Sequence, residues 1–174
     1  RPALDFLAKS QMMKNIKKRY DLIRDISTLQ YELKDNKKDI IYTESYNVKT
    51  NPVVKKMGNQ YILPVNIIHP LVHIPKKYQN RKFDFAIERG YTMIDEYEIE
   101  LPNDISFTFV PESKNLKTEF GDYQLNISVD VNKIKVYRKF ELASKTYNKT
   151  QYDQYKKFRE EIAQLESTKL TYKL

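Results

Sequence analysis

Residues 123–142, with the sequence YQLNISVDVNKIKVYRKFEL, decide the fold of this chain. Apolar residues occupy every second position in the first half of this stretch, which is the periodicity of a strand with one buried face. Asn132 and Lys133 interrupt the pattern as a tight turn, and the alternation then resumes. The stretch therefore predicts an antiparallel hairpin, whose inward row is Tyr123, Leu125, Ile127, Val129, Val131, Ile134, Val136, Phe140 and Leu142.

Arg138 occupies an inward position of the second strand of this hairpin. A buried guanidinium group is costly unless a carboxylate neutralises it. Two interpretations therefore stay open: Arg138 pairs with a carboxylate, or the strand bulges at this residue and turns the side chain outward. Both give Arg138 a structural role.

Further strands with turns between them flank the hairpin. Glu96, Glu98 and Glu100 alternate with an apolar row, so they lie on the opposite face of their strand. Strands spaced about 8–12 residues apart predict an antiparallel β-sandwich or a curled sheet. The other predicted inward rows are Phe83, Phe85 and Ile87; Tyr97, Ile99 and Leu101; Ile105, Phe107 and Phe109; Leu116 to Phe120; and Leu170, Tyr172 and Leu174.

The periodicity changes to three and four at both ends of the chain, which predicts one N-terminal and one C-terminal amphipathic helix. The first helix covers Ser10 to Arg24, and the second covers residues 149–165 with Asn148 or Thr150 as its N-cap. The fold class is therefore mainly β, of the α+β type. The stripe of the second helix consists of Tyr152, Tyr155, Phe158, Ile162 and Leu165.

Two more hairpins are predicted in the N-terminal half, one around residues 35–39 and one with Gly58 and Asn59 at its tip. A continuous helix from Ser10 to Lys34 is the competing interpretation of the first. We expect two domains. Residues 1–75 form a helix and a small antiparallel β region, and residues 76–174 form a β-sandwich module with the docked helix.

Composition excludes several classes of function. The 174 residues contain no Cys, which excludes disulfides, cysteine nucleophiles and thiolate metal sites. No apolar stretch approaches the ~20 residues of a transmembrane helix. Residues 1–90 hold 18 Lys and Arg against 9 Asp and Glu, whereas residues 91–174 hold 13 against 14. No zinc-finger, Arg-rich or RNP-like pattern accompanies the basic half, so we expect no specific nucleic-acid binding.

No set of residues predicts catalysis, a metal site or a cofactor. His69 and His73 are four apart, but Pro70 disfavours a helix there, and in an extended chain their rings are about 13 Å apart. Three glutamates in a row on one strand are typical of a solvated face rather than of an acid/base pair. We therefore expect no enzyme activity in this chain.

A basic stretch at the start of the second predicted domain suggests one binding site. Lys76, Lys77, Arg81 and Lys82 lie in a polar segment after three prolines. Clustered cations attract polyanions. The alternative hypothesis for function is therefore a binding module for anionic surface polymers, such as polysaccharide or lipopolysaccharide.

The C-terminal pattern resembles a known domain across residues 81–174. This is the uncharacterised domain that ends some exported proteins of Gram-negative gut bacteria, downstream of a transglutaminase-like domain with the papain fold. The matching residues are Arg81, Phe83, Phe85, Arg89, Gly90, Tyr91, Asp95, Tyr97, Ile99, Leu101, Pro102, Pro111, Phe120, Gly121, Tyr123, Val136, Tyr137, Arg138, Tyr152, Tyr155 and Phe158.

The resemblance implies an accessory module without an assigned activity. The family's catalytic Cys, His and Asp belong to the upstream domain, so no functional residue carries over to this chain. The chain begins with Arg1 rather than Met, and we expect it to be a piece of a longer protein whose upstream domain is its partner. The resemblance also implies a location in the cell envelope, either periplasmic or associated with the outer membrane.

Overall fold

The computed structural model describes residues 10–12, 14, 15, 18, 28–38, 41–49, 53–67 and 69–174. The chain divides into two compact units. One consists of Arg1–Val53 with Ile67–His69, and the other consists of Val54–Asn66 with Pro70–Leu174. The predicted domain boundary between residues 75 and 76 stays a prediction.

The first unit contains a β-hairpin. Strands β1 (Thr28–Asn36) and β2 (Ile41–Lys49) pair antiparallel without a break in register. This confirms the predicted hairpin, and the competing helix that continues to Lys34 is wrong because β1 begins at Thr28. Residues 10–12, 14, 15 and 18 are helical, as predicted, and the rest of the expected helix to Arg24 lies outside the described residues.

The second unit is built from ten strands and one α-helix in the described part of the chain. A 3₁₀ turn at Lys149–Gln151 leads directly into the helix α1 at Tyr152–Glu166. The strands are β3 (Lys55–Met57), β4 (Gln60–Pro64), β5 (Phe85–Ile87), β6 (Tyr91–Glu100), β7 (Ser106–Phe109), β8 (Lys114–Thr118), β9 (Gly121–Asp130), β10 (Lys133–Leu142), β11 (Lys145–Tyr147) and β12 (Lys169–Lys173).

These strands form three antiparallel sheets. The main sheet has the order β6-β10-β9-β8, and a second four-stranded sheet has the order β3-β4-β12-β7. Strands β5 and β11 form a separate pair. The last strand of the chain, β12, thus joins a hairpin from residues 55–64 to β7. Mainly antiparallel β-structure with a C-terminal helix confirms the predicted fold class.

The main sheet has an inner face, covered by α1, and an outer face open to solvent. Alternation puts the large apolar side chains of β9 and β10 on the inner face. The ring of Phe140 in β10 contacts Phe158 of α1, with centroids 6.5 Å apart. Burying each such side chain contributes about 1.5–3 kcal/mol, so this layer holds helix and sheet together. The buried side chains of β9 and β10 are those of Tyr123, Leu125, Ile134, Val136, Arg138, Phe140 and Leu142.

An aromatic cluster fixes the N-terminal end of α1. Phe85 of β5 stacks on Tyr147 of β11 with centroids 5.3 Å apart, and it meets Tyr152 edge to face at 5.3 Å. Phe120 contacts Tyr147 and Tyr155 in turn. Asn148 caps the 3₁₀ turn that leads into α1, and its side chain accepts from Thr150 N in a capping box with Gln151. The N-cap of α1 itself is Gln151, which makes no side-chain cap hydrogen bond, so the predicted cap applies to the 3₁₀ turn rather than to the α-helix.

Residues 65, 66 and 70–84 of the second unit form no regular secondary structure and run beside α1, and we call them the strap. Its start is bound to the C-terminal end of the helix through Asn66 and Glu166. Its middle accepts hydrogen bonds from two helix residues, Arg159 to the carbonyl of His73 and Tyr152 to the carbonyl of Lys76. Its end, Asp84, accepts from Lys149 N. The strap therefore follows the helix from its last turn back to its first.

Several predicted inward positions are exposed. Phe83 precedes β5 and is 79% exposed, because the strand begins only at residue 85. A bulge between β7 and β12 shifts the pairing at Thr171/Tyr172, so Phe109 falls on the other face and is exposed.

The turn of the long hairpin consists of Val131 and Asn132, not Asn132 and Lys133. Val131 is exposed in this turn, Val129 is exposed near the end of β9, and Leu174 is exposed after the end of β12.

Gly121 shows why β9 begins where it does. Its φ of +149° lies in the region that favours glycine, and a Cβ there would lie 1.9 Å from the carbonyl oxygen of Glu141. Any other residue would push β9 away from β10. Tight pairing of these two strands thus depends on a residue without a side chain.

Candidate functional site

A buried ionic network lies between the inner face of the main sheet and the C-terminal end of α1. Its centre is Arg138 of β10, which is 1% exposed. Nη1 of Arg138 is 3.1 Å from both carboxylate oxygens of Glu166, and Nε is 2.8 Å from Oδ2 of Asp95. One cation thus joins two carboxylates from different elements.

The register of the strands explains how Asp95 reaches Arg138. Asp95 lies directly opposite Arg138 in the unbroken pairing of β6 with β10, and both point to the inner face. Of the two interpretations left open by the sequence, pairing with a carboxylate is therefore the correct one. The guanidinium also contacts Sδ of Met93 at 3.0 Å.

Glu166 is the last residue of α1, and its side chain is fully buried. A helix C-terminus disfavours a negative charge, and burial adds a desolvation cost. Donors from four residues offset these costs. Tyr123 donates its hydroxyl at 2.8 Å and the backbone N–H of Leu71 donates at 3.3 Å. Asn66 and Arg138 are the other two donors.

Burial and the nearby carboxylate set the protonation of the network. Burial raises the pKa of the Tyr123 phenol far above its usual value, and the negative charge of Glu166 raises it further. Burial opposes the charge on Arg138, but Glu166 and Asp95 outweigh it and raise the pKa of the guanidinium. The network therefore contains a neutral tyrosine and a charged arginine at physiological pH. Its groups satisfy one another, which is the arrangement of a structural core.

The outer face of the main sheet carries the three glutamates of β6. Glu96, Glu98 and Glu100 are exposed, which confirms that they form a solvated face. Glu98 lies 3.0 Å from Nζ of Lys133 and 3.9 Å from Nζ of Lys135. Beside these strands lies a shallow cavity of about 570 Å³ that includes Glu96, Glu98 and Tyr137.

The four basic residues proposed for polyanion binding lie on the strap. Lys76, Lys77 and Lys82 are exposed, whereas Arg81 is half-buried. The guanidinium of Arg81 lies over the ring of Tyr152 at 4.4 Å and over that of Phe85 at 5.3 Å. Arg81 therefore packs on the aromatic cluster, and the three lysines are the accessible cations of the set.

His69 and His73 lie outside regular secondary structure, so they do not share a helix face. His73 is exposed, and its carbonyl accepts from Arg159. The part of the chain that the structure describes contains no cluster of three or more His, Asp or Glu residues able to hold a metal ion. Among its helices, none combines the length and the apolar character that crossing a bilayer requires.

Sequence reasoning missed both partners of Arg138, although each leaves a signal. Glu166 follows Ile162 by four residues and so continues the apolar stripe of α1. Asp95 has the same parity as the inward residues Tyr97 and Ile99. A charged residue on an otherwise apolar row is the mark of a buried pair. Arg159, which does not belong to the predicted stripe of α1, is also buried.

Comparison with known proteins gives the chain a family without a known activity. No curated protein matches it. A crystal structure of a "putative protease" from Parabacteroides distasonis ATCC 8503 shares its fold, with a TM-score of 0.54 and 15% sequence identity over 67% of this chain. The match spans only 24% of that protein's length. Residues 59–172 match the model of a domain of unknown function with a solved structure, and the chain therefore belongs to the DUF3858 family.

Proposed function

We propose that this chain is a non-catalytic accessory module of a larger exported protein with a transglutaminase-like or protease-like catalytic domain. The observation that carries the proposal is the fold shared with about a quarter of a protein described as a protease. The remainder of that protein has room for a separate catalytic domain. In this arrangement the catalytic domain precedes the module in the same polypeptide, in the cell envelope.

The buried ionic network of the second unit supports a structural role for the module. The buried titratable groups around Arg138 bind one another, and Glu166 accepts from donors of four residues. A catalytic acid or base needs a face open to substrate, whereas this carboxylate is enclosed. The network therefore ties strap, helix and sheet together.

The strap provides a surface on which a neighbouring domain can pack. Val72, Ile74, Tyr78 and Phe83 are large apolar side chains in this short segment, and each is at least 43% exposed. Exposed apolar side chains concentrated in this way are typical of surfaces that contact another protein. Contact with the catalytic domain would cover them.

The test compares the full-length polypeptide, the chain of residues 1–174, and the full-length polypeptide without these residues. Peptide hydrolysis and glutamine–lysine crosslinking are measured for each, and fractionation of the native host locates the protein. We expect activity only where the upstream domain is present and a periplasmic or outer-membrane location. Turnover by residues 1–174 alone, abolished by one replacement, would refute the proposal.

A second candidate function is contact with anionic envelope polymers. The exposed Lys76, Lys77 and Lys82 favour it, because neighbouring cations attract a polyanion together. We expect the chain to be retained on heparin and the retention to fall as salt is added. Replacing the three lysines by Ala should abolish this retention. Retention that survives these replacements would place the contact elsewhere.

A further inference from the structure

The outer face of the main sheet contains a cavity that is lined by acidic, basic, amide and hydroxyl groups. It is shallow, has a volume of about 570 Å³, and lies where β6, β10 and β9 run side by side. Its lining includes Glu96, Glu98, Asn126, Ser128, Lys135 and Tyr137. None of these residues takes part in the Arg138 network.

Strand register arranges these six side chains as two rows of three. Tyr137 lies between Glu96 and Asn126 in one row. Lys135 lies between Glu98 and Ser128 in the next row. With strands about 4.8 Å apart and a rise of about 3.4 Å per residue, the groups cover roughly 10 Å by 7 Å. The strand pairing therefore sets the spacing of their Cα atoms.

The two rows combine the groups that recognise a polyol. Carboxylates accept hydrogen bonds, an ammonium group donates them, and amide and hydroxyl groups do both. Glu96 makes no ion pair with any described residue, and the side chain of Asn126 makes no hydrogen bond with one, so both are available to a ligand. Tyr137 adds an aromatic ring, whose apolar surface suits the C–H face of a sugar.

The charge of the cavity distinguishes between kinds of polysaccharide. The lining residues that are charged at neutral pH are two glutamates and one lysine, and Glu98 lies 3.9 Å from Lys135. The net negative charge repels a polyanion but not a neutral glycan. An open, shallow cavity also lets a polymer continue beyond both ends, whereas a small metabolite requires an enclosed site.

We propose that this outer face is a binding site for neutral polysaccharide, with Tyr137 as its aromatic platform and with Glu96 and Asn126 as its polar contacts. The site differs from the lysines of the strap in position, in charge and in ligand. It belongs to the chain itself and does not depend on a catalytic domain, so its failure would leave the accessory role untouched.

The experiment titrates the ¹⁵N-labelled chain of residues 1–174 with maltohexaose, cellohexaose, xylohexaose and chitohexaose, and with heparin as a polyanion. We expect at least one neutral glycan to shift amide signals of β6, β9 and β10 around Tyr137. Tyr137→Ala should weaken this binding about tenfold, since it removes the aromatic surface on which the sugar packs. Glu96→Gln and Asn126→Ala should each weaken it by severalfold.

Gln124→Ala is the matched control, because Gln124 lies on the same face of β9 as Asn126 but outside the cavity lining. It should bind like the unaltered chain. A folded spectrum for each variant separates lost binding from lost structure, and Glu96→Gln tests the site with almost no change of shape. The proposal is overturned if no neutral glycan binds, if only heparin binds, or if the three variants bind as well as the control.

Discussion

Strand β10 carries Arg138 on the inner face of the main sheet and Lys135 on the outer face, and both face glutamates. The pair of Arg138 with Glu166 is almost completely buried, whereas the pair of Lys135 with Glu98 has side chains that are 68% and 42% exposed. Water screens the exposed pair, so it contributes little to stability. Removing one partner of the buried pair leaves an uncompensated charge in the core. A pair of a cation and a glutamate therefore contributes differently to the free energy of unfolding on the two faces.

Arg138→Ala tests this difference most strongly. It leaves Glu166 and Asp95 buried without their cation, so we expect the free energy of unfolding to fall by about 3–5 kcal/mol. Urea denaturation followed by circular dichroism measures the change. Lys135→Ala, on the same strand but the outer face, is the control and should leave the midpoint unchanged. Equal effects of the two variants would show that the faces do not differ.

Glu166→Gln removes one charge of the network but keeps its shape. Arg138 then retains Asp95 as a partner, so the loss should be smaller, about 2–3 kcal/mol. Glu98→Gln makes the same chemical change on the outer face and serves as the control in thermal unfolding. A loss from Glu98→Gln as large as that from Glu166→Gln would contradict the comparison.

Tyr123→Phe removes one of the donors to Glu166, which keeps its other donors. We expect a loss of about 1–2 kcal/mol near pH 7. Because the pKa of Tyr123 is raised in the folded state, its stabilising contribution is complete below the usual tyrosine pKa near 10 and decreases as the pH rises above it.

The variant should therefore show a shallower loss of stability above about pH 10 than the unaltered chain. Burial also raises the pKa values of Tyr147, Tyr152 and Tyr172, so part of the alkaline loss should remain. Tyr137→Phe, on the outer face, is the matched loss of a hydroxyl group. An alkaline slope unchanged by Tyr123→Phe would mean that Tyr123 is not buried beside Glu166.

How far the sequence predicts each face depends on the range of the interactions. Alternation within one strand is a local property, so the inward row of β10 and the solvated glutamates of β6 were both predicted. The partners of Arg138 lie 43 and 28 residues away, at Asp95 and Glu166. Strand register and helix docking bring them together, and local periodicity specifies neither.

The candidate sites follow the same rule. The lysines of the strap were found as a run in the sequence, but the packing of Arg81 on Tyr152 depends on an element 71 positions further along. The two rows of the outer face appear only when the registers of three strands are known. Local periodicity also misleads in the opposite direction. It predicts buried positions for Phe83 and Phe109, but Phe83 lies before its strand begins and Phe109 lies beside a bulge, so both are exposed.

The smallest expected effect concerns the turn between β9 and β10, and it tests which two residues form that turn. Val131 has φ +49°, a conformation that a β-branched residue adopts only with strain, and its side chain is 78% exposed. Val131→Gly should relieve this strain at the cost of extra chain entropy, so we expect a net stabilisation of about 0.5–1 kcal/mol. Val129→Gly, two residues earlier in regular strand, should instead destabilise. Opposite signs in urea denaturation would place the turn at Val131 and Asn132, whereas destabilisation by both would return it to Asn132 and Lys133.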